Sequence, residues 1–237
     1  MAAAVPGTAA AILVAAGSGQ RLGADVPKAF VRVAGRTLLE HATGRFAAHP
    51  DIGPVVVVAP AAELARAAEL AGPDVLVVPG GATRQESVAC GLAAVGPATA
   101  FVLVSDVARP FVPDAVIASV VAALRGGAVA VVPIVPIHDT VRHRGESTAL
   151  GTVVDRSTLV AVQTPQGFRR DVLVAAHAAG APGATDDAML VEAFGHPVVP
   201  VPGADESFKI TTPLDLARAE AVALLSASSP ARRGGSG

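Results

Sequence analysis

Three groups of residues stand out for the chemistry their types and spacing allow. The first is the stretch AAILVAAGSGQRLGADVPKAF, Ala10 to Phe30, where an apolar run turns into glycines and carries two isolated cations, Arg21 and Lys28. Backbone N–H groups of a loop around Gly17 and Gly19 can face phosphate oxygens, and the two cations would add charge to that cradle. Pro27 before Lys28 and the apolar Ala29-Phe30 after it imply a fixed lysine. The plainer alternative is a surface turn with two solvated charges. Two familiar loops are excluded. The third glycine of a dinucleotide fingerprint is replaced by Leu22, with Gly23 one residue late, and no acidic residue ends the Val55–Val58 run to hold a ribose. No Gly-Lys-Ser/Thr follows either glycine, as a P-loop requires.

The second group is SDVARP, Ser105 to Pro110, at the end of another apolar run. A strand-end aspartate suits Mg²⁺, which takes one or two carboxylates and completes its shell with phosphate oxygens and water. Asp106 could equally be a turn cap, and Arg109 is either an anion contact or a surface partner for it. The third group is SFKITTPLDL, Ser207 to Leu216, which places Lys209 within an apolar strand just before a helix cap. An exposed sheet edge is the alternative there. Lysines are few in this chain, and both Lys28 and Lys209 fall at expected strand–loop junctions.

These groups need a scaffold, and the pattern of the chain describes one. Apolar runs at Ile12–Ala16, Val55–Val58, Val75–Val78, Phe101–Ser105 and Val129–Ile134 read as strands. Between them, Thr37–His49 and the Ala-rich segment Ala61–Ala71 read as helices. Thr83-Arg84-Gln85-Glu86 has the form of a capping box opening a helix to about Val95. Pro113 opens a further helix, and Thr212-Pro213-Leu214-Asp215 begins the last. Continuous rather than alternating apolar strands, interleaved with helices, imply an α/β fold. Its sheet is expected to be Rossmann-like and mainly parallel, with helices on both faces. Ligands of such sheets bind at the carboxyl ends of the strands, where all three groups fall.

The segment from Pro136 to Val160, PIHDTVRHRGESTALGTVVDRSTLV, breaks the rhythm. It is polar and charged, with TVR and GTVV as short extended pieces around a turn, and reads as a projecting β-arm. Residues 1–225 are expected to form one domain that includes this arm, with 226–237 a disordered tail. Cys90 reads as a small core residue, Asp186 and Asp187 as helix caps, and His138 and His143 lack metal-ligand spacing.

Bulk composition narrows the function. The 237 residues suffice for a substantial core, 51% being hydrophobic and 16% charged, with a formal charge of −2 that argues against a general nucleic-acid binder. One cysteine excludes an intrachain disulfide and fits a reducing compartment. No run is long enough to span a bilayer, and the opening MAAAVPGTAA lacks the basic stretch of a secretory leader. A soluble cytoplasmic protein is the expectation.

In order and spacing, AAGSGQRLG…PK, GGATRQESV, SDVARP, the DT of IHDT, VDR, QTPQ, TDDA and FKIT resemble the bacterial 2-C-methyl-D-erythritol 4-phosphate cytidylyltransferases. The resemblance covers nearly all of Ala10 to Ala223. One departure is Ser105-Asp106-Val107-Ala108-Arg109-Pro110, where that family commonly has His-Asp-Ala-Ala-Arg-Pro. The resemblance implies a nucleotidyltransferase fold of the GT-A-like kind and a reaction that joins CTP to the sugar-alcohol phosphate. It implies that Ala15, Ala16, Gly17, Gly19, Gly81, Ala82 and Ser87 surround CTP. Arg21, Lys28, Arg156 and Lys209 would be catalytic. Asp106 would hold Mg²⁺, with Asp205 or Glu206 as an optional second carboxylate. Asp106, Arg109, Thr140, Thr164 and Lys209 would engage the acceptor. It further implies a homodimer through the arm. Two rivals remain: a cytidylyltransferase for ribitol 5-phosphate, and a nucleotide-binding regulator without turnover.

Overall fold

Alternate residues of β1 (Ala9–Val14) face opposite sides of the sheet, and both sides are buried. Ala9, Ala11 and Leu13 enter one apolar cluster, Ala10 and Ile12 the other. A strand with no polar position must be covered on both faces, and the rest of the chain supplies that cover. The computed structural model describes residues 9–16, 26–145, 148–181 and 183–228. After β1 a short hairpin, β2 (Arg32–Val33) and β3 (Arg36–Thr37), leads into α1 (Leu38–Ala47). Then β4 (Ile52–Ala59), α2 (Leu64–Ala71), β5 (Val75–Pro79), α3 (Arg84–Ala94), β6 (Phe101–Asp106) and α4 (Asp114–Arg125) alternate. β7 (Ala130–Pro136) runs out to the arm, where β8 (Val141–Arg142) and β9 (Val153–Val154) pair antiparallel. The chain returns through β10 (Val160–Val162), β11 (Gln166–Arg169), α5 (Arg170–Ala179), α6 (Asp187–Ala193), β12 (Val198–Pro202) and α7 (Pro213–Ser228).

The central sheet has the order β10-β7-β11-β6-β1-β4-β5, with β12 also on β7. The pairs β1–β4, β1–β6, β4–β5 and β7–β12 are parallel; β11 runs against β6 and β7, and β10 against β7. The mainly parallel sheet expected from the apolar runs is therefore present, with one reversed strand inside it. That strand is thin by necessity: a Cβ on Gly167 would lie 2.3 Å from Val120 and 2.9 Å from Leu124, so α4 packs directly on its backbone. Helices α1 and α4, with Ala67 of α2 and Ala219 of α7, cover one face; α3, α5 and α6 cover the other. Each fully buried Leu or Ile contributes about 1.5–3 kcal/mol, and Ile12, Leu13, Leu38, Leu39 and Leu103 all lie in this class.

Local signals set the helix starts. Thr37 with Glu40, and Thr83 with Glu86, form reciprocal capping boxes that satisfy two N-terminal N–H groups each. At α7 the Asp215 carboxylate accepts from the backbone and hydroxyl groups of both Thr211 and Thr212. Two expectations need correction. Lys209 does not sit in a strand: Phe208–Ile210 lies outside the sheet, held to the loop after β6 by Ile210 N–H donating to the Ala108 carbonyl (2.9 Å). And α7 continues to Ser228, three residues into the segment read as a tail. Residues 229–237 lie outside the described residues. Among those described, no helix is long and apolar enough to cross a membrane.

Candidate active site

The carboxyl ends of neighbouring parallel strands bring the chemistry together. β1 and β6 run in register, Val14 opposite Asp106, and Val107 N–H donates to the Val14 carbonyl at 3.2 Å. Beside them Ala15 N–H bonds to Val58 and Gly80 N–H to Ala59, which ties the ends of β1 and β5 to β4. Ala15, Ala16, Gly81 and Ala82 therefore leave adjacent strand ends. A Cβ on Gly80 would lie 3.1 Å from that of Ala16. Gly17, Gly19 and Arg21 lie outside the described residues. Lys28 stands half-buried on a single turn, Lys28–Phe30, anchored by Ala29 and Phe30 at 2% and 3% exposure. The Lys28 backbone is therefore held in place by this turn and its buried neighbours.

The loop before α3 is braced from within. Glu86 accepts from Ala82 N–H (2.6 Å) and Thr83 N–H (3.2 Å). The Ser87 hydroxyl donates to the Thr83 carbonyl (2.9 Å) and accepts from Gly81 N–H (3.2 Å). Gly81 cannot be replaced without moving this brace, because a Cβ there would lie 2.3 Å from that of Glu86. The N–H groups of Gly81 and Ala82 are thus engaged by the protein itself, and Ser87, 1% exposed, is buried behind the loop it holds.

Asp106 is the centre of a dense cluster of charge. Its carboxylate lies 2.6 Å from the Lys209 ammonium and 3.6 Å from Nε of Arg84. Burial would push this carboxyl upward, but Lys209, Arg84 and Arg109 override burial and hold it below the usual carboxylate range. Burial lowers the Arg109 guanidinium, an effect that Asp106 only partly offsets. Arg109 donates from Nη1 to the Ser207 carbonyl (2.7 Å), which joins the loop after β6 to the segment carrying Lys209. Its Nε, like the hydroxyl of fully buried Ser207, has no hydrogen-bond partner among the described residues. Thr164 reaches the same point from the connection between β10 and β11. Its hydroxyl accepts from Asp106 N–H (3.2 Å) and lies 3.1 Å from the Ser105 hydroxyl. Position 105 therefore faces the protein interior behind Asp106, so the departure noted there alters the support of the aspartate and not the aspartate itself.

Arg84 is the residue sequence reasoning missed. It was legible only as part of a capping box, yet its Nη1 donates to Asp187 at 2.8 Å while its Nε faces Asp106. Burial depresses this guanidinium less than Asp187 and Asp106 raise it. Asp187 is correspondingly not a cap. Asp186 performs that role, accepting from Met189 N–H (2.9 Å), whereas Asp187 turns inward, 1% exposed at its side chain, against Arg84 and His177. Cys90 is half-buried on α3 rather than part of the core.

Thr140 and Arg156 stand apart. Both are exposed on the arm, and the Arg156 guanidinium donates to the His138 carbonyl of that same arm. Among the described residues neither is hydrogen-bonded or ion-paired to Asp106 or Lys209.

Asp106 is the carboxylate at the centre of this cluster, its two oxygens facing Lys209 and Arg84. Among the described residues no three His, Cys, Asp or Glu side chains converge on a point. Asp205 and Glu206 lie exposed on the turn before Lys209, where the Asp205 carbonyl accepts from Arg218. Such a donor set fits Mg²⁺ when a polyphosphate brings the remaining oxygens.

Comparison with known proteins identifies the family. Residues 9–224 match the family model described as IspD: 2-C-methyl-D-erythritol 4-phosphate cytidylyltransferase. A protein of that name from Saccharopolyspora erythraea is 51% identical over 218 residues, covering 90% of this chain and 97% of the relative. Another from Streptomyces avermitilis is 46% identical over 226 residues, 90% of each chain. The crystal structure of the Thermus thermophilus protein of the same name is 41% identical and superposes with a TM-score of 0.77, covering 92% of this chain and 100% of that one.

Proposed function

The chain belongs to the 2-C-methyl-D-erythritol 4-phosphate cytidylyltransferase family, and from that premise we propose how its residues carry out cytidylyl transfer from CTP to 2-C-methyl-D-erythritol 4-phosphate. A phosphate oxygen of the acceptor attacks the α-phosphorus of CTP, a new P–O bond forms, and the bond to the β-phosphate breaks. The products are 4-diphosphocytidyl-2-C-methyl-D-erythritol and pyrophosphate. The single observation that carries this reading is the cluster of Lys209, Arg84 and Arg109 around Asp106, at the strand ends where the glycine loop departs.

Two polyanions repel, so charge neutralisation and alignment are the main tasks, and no covalent nucleophile is needed. Lys28 and Arg21 face the charge that grows around the α-phosphate. Ala15, Ala16, Gly17 and Gly19 approach the triphosphate with their backbones, while the braced Gly81–Ala82 loop accommodates cytosine and excludes a purine by size. Lys209, Arg109 and Thr164 hold the acceptor phosphate. Mg²⁺ held by Asp106 and the phosphates would neutralise further charge. Thr140 and Arg156 act across a homodimer. The exposed apolar residues of the arm and its root, Leu150, Val153 and Val160, support that assembly, because an isolated two-stranded hairpin is marginal in water. The nucleotide substrate fits a cytoplasmic enzyme.

Pyrophosphate release from CTP tests the reading. It should require methylerythritol phosphate, and turnover with ATP or GTP should be far lower. Equal turnover with ribitol 5-phosphate would reassign the acceptor, and absence of release with either would leave only nucleotide binding.

A further inference from the structure

Asp187 is an expensive residue for its position. A carboxylate 1% exposed loses its water, and a buried ion pair is seldom more stabilising than apolar packing of the same volume. Its place is nevertheless doubly fixed. Arg84 Nη1 lies 2.8 Å from one oxygen and His177 Nε2 3.0 Å from the other, with the imidazole itself 6% exposed. The start of α6 is pinned to the sheet as well, since Gln166 donates to Asp186 (2.8 Å) and accepts from Ala188 N–H (3.2 Å). The other end of the Arg84 guanidinium faces Asp106, and Asp106 faces Lys209. Five side chains from α5, α6, α3, β6 and the segment before α7 thus alternate in a line that ends at the reacting centre.

We propose that Asp187, backed by His177, is a positioning residue for cytidylyl transfer, setting Arg84 at the distance from Asp106 that leaves Lys209 free to share that carboxylate. Asp187 touches no substrate and acts through Arg84. Without its negative charge the guanidinium moves wholly to Asp106, the nearest remaining carboxylate, and the Asp106–Lys209 pair shifts with it. Misplacement by about 1 Å at such a centre can cost about 10²-fold in rate. The inference rests on the cytidylyltransferase reading. Wild-type turnover measured alongside separates the two: an inactive wild type sinks that reading, while an active wild type leaves this inference to be judged alone.

The test uses the full-length protein. Asp187→Asn keeps the shape and an acceptor oxygen but removes the charge. It should lower kcat by about 10- to 100-fold while changing KM for CTP less than about threefold. Placed on Arg84→Ala, the same change should cost less than about a further threefold in kcat, because the residue it acts through is gone. His177→Gln, which retains a side-chain N–H donor, should keep most of the activity that His177→Phe loses. Normal kcat in Asp187→Asn with a lowered melting temperature would show a purely structural ion pair and overturn the proposal. Full additivity with Arg84→Ala would overturn it too. Should Asp187→Asn fail to fold, the histidine pair decides: equal kcat in His177→Gln and His177→Phe refutes the positioning role.

Discussion

Around the carboxyl end of β6, charged side chains are held by buried neighbours; along the arm and its root, Leu150, Val153, Val160 and Val162 face outward at 69%, 58%, 49% and 43% exposure. The first region is built by one chain. Asp106 is anchored through its own backbone to Thr164, and Lys209 is brought to it by Ile210 bonding to Ala108. The second has a two-residue ladder, β8 with β9, and among the described residues of 137–159 none belongs to a buried core cluster. A residue in the first region can be placed to a fraction of an ångström by packing. Exposed Arg156 on the arm is held by the His138 carbonyl of that same arm, and a second subunit is the proposed source of further support. On the proposed function, one site would draw on two kinds of positioning, and each kind would fail in its own way.

The largest expected effect lies in the first region. Lys28→Ala should lower kcat by about 10²–10³-fold, the usual loss for one electrostatic donor aimed at developing charge. Near-normal kcat with only a raised KM would show that Lys28 serves ground-state binding instead.

A subunit-mixing experiment separates the two regions directly. Lys28→Ala and Arg156→Ala are each expected to be nearly inactive. In a mixed dimer the subunit with intact Lys28 receives the intact arm of its partner, so one of its two sites is wild type. Random exchange makes half of the dimers mixed, and about a quarter of all sites should recover activity. No recovery after verified exchange would mean that both residues serve the same chain's site.

Changing the arm's apolar surface should affect assembly more than folding. Leu150→Ser is expected to leave the monomer fold intact, because the side chain is 69% exposed, while raising the dimer dissociation constant several-fold. Sedimentation velocity over a concentration series reads this. An unchanged constant would remove Leu150 from the interface.

The smallest effect concerns acid. Burial would raise Asp215, but hydrogen bonds from Thr211 and Thr212 prevail and bring it from 3.8 down to about 2. A carboxyl lowered on folding stabilises the native state above its unfolded value. That contribution is complete above about pH 4 and disappears as pH falls through about 2. Asp106, also lowered, works in the same direction. Asp215→Asn should flatten the loss of stability on acidification between these values in denaturant titrations; an unchanged slope would show that the cap contributes nothing.

Much of this molecule was readable along the chain. The apolar runs that became β1, β4, β5, β6 and β7, the capping box at Thr83 and Glu86, the start of α7 and the two extended pieces of the arm are all decided within a few residues of each other. Their signals are apolar periodicity, side-chain capping and proline, which act locally whatever the rest of the fold does. Asp106, Arg109 and Lys209 could be singled out because a lone charge at the end of an apolar run is conspicuous, and Lys28 and Lys209 are the chain's only lysines. Tertiary structure decided the remainder. Gln166–Arg169 has no apolar run and Val198–Pro202 contains two prolines; the first is a strand because β6 and β7 flank it, the second because an edge position tolerates prolines. Arg84 meets Asp187 across 103 residues, and Lys209 meets Asp106 across the same separation. Nothing within a few residues of Arg84 distinguishes a helix-start arginine from one that joins two buried carboxylates. Only the packing of α3 against α5 and α6 brings those charges within reach, and in a desolvated interior a charge brought that close must be paired.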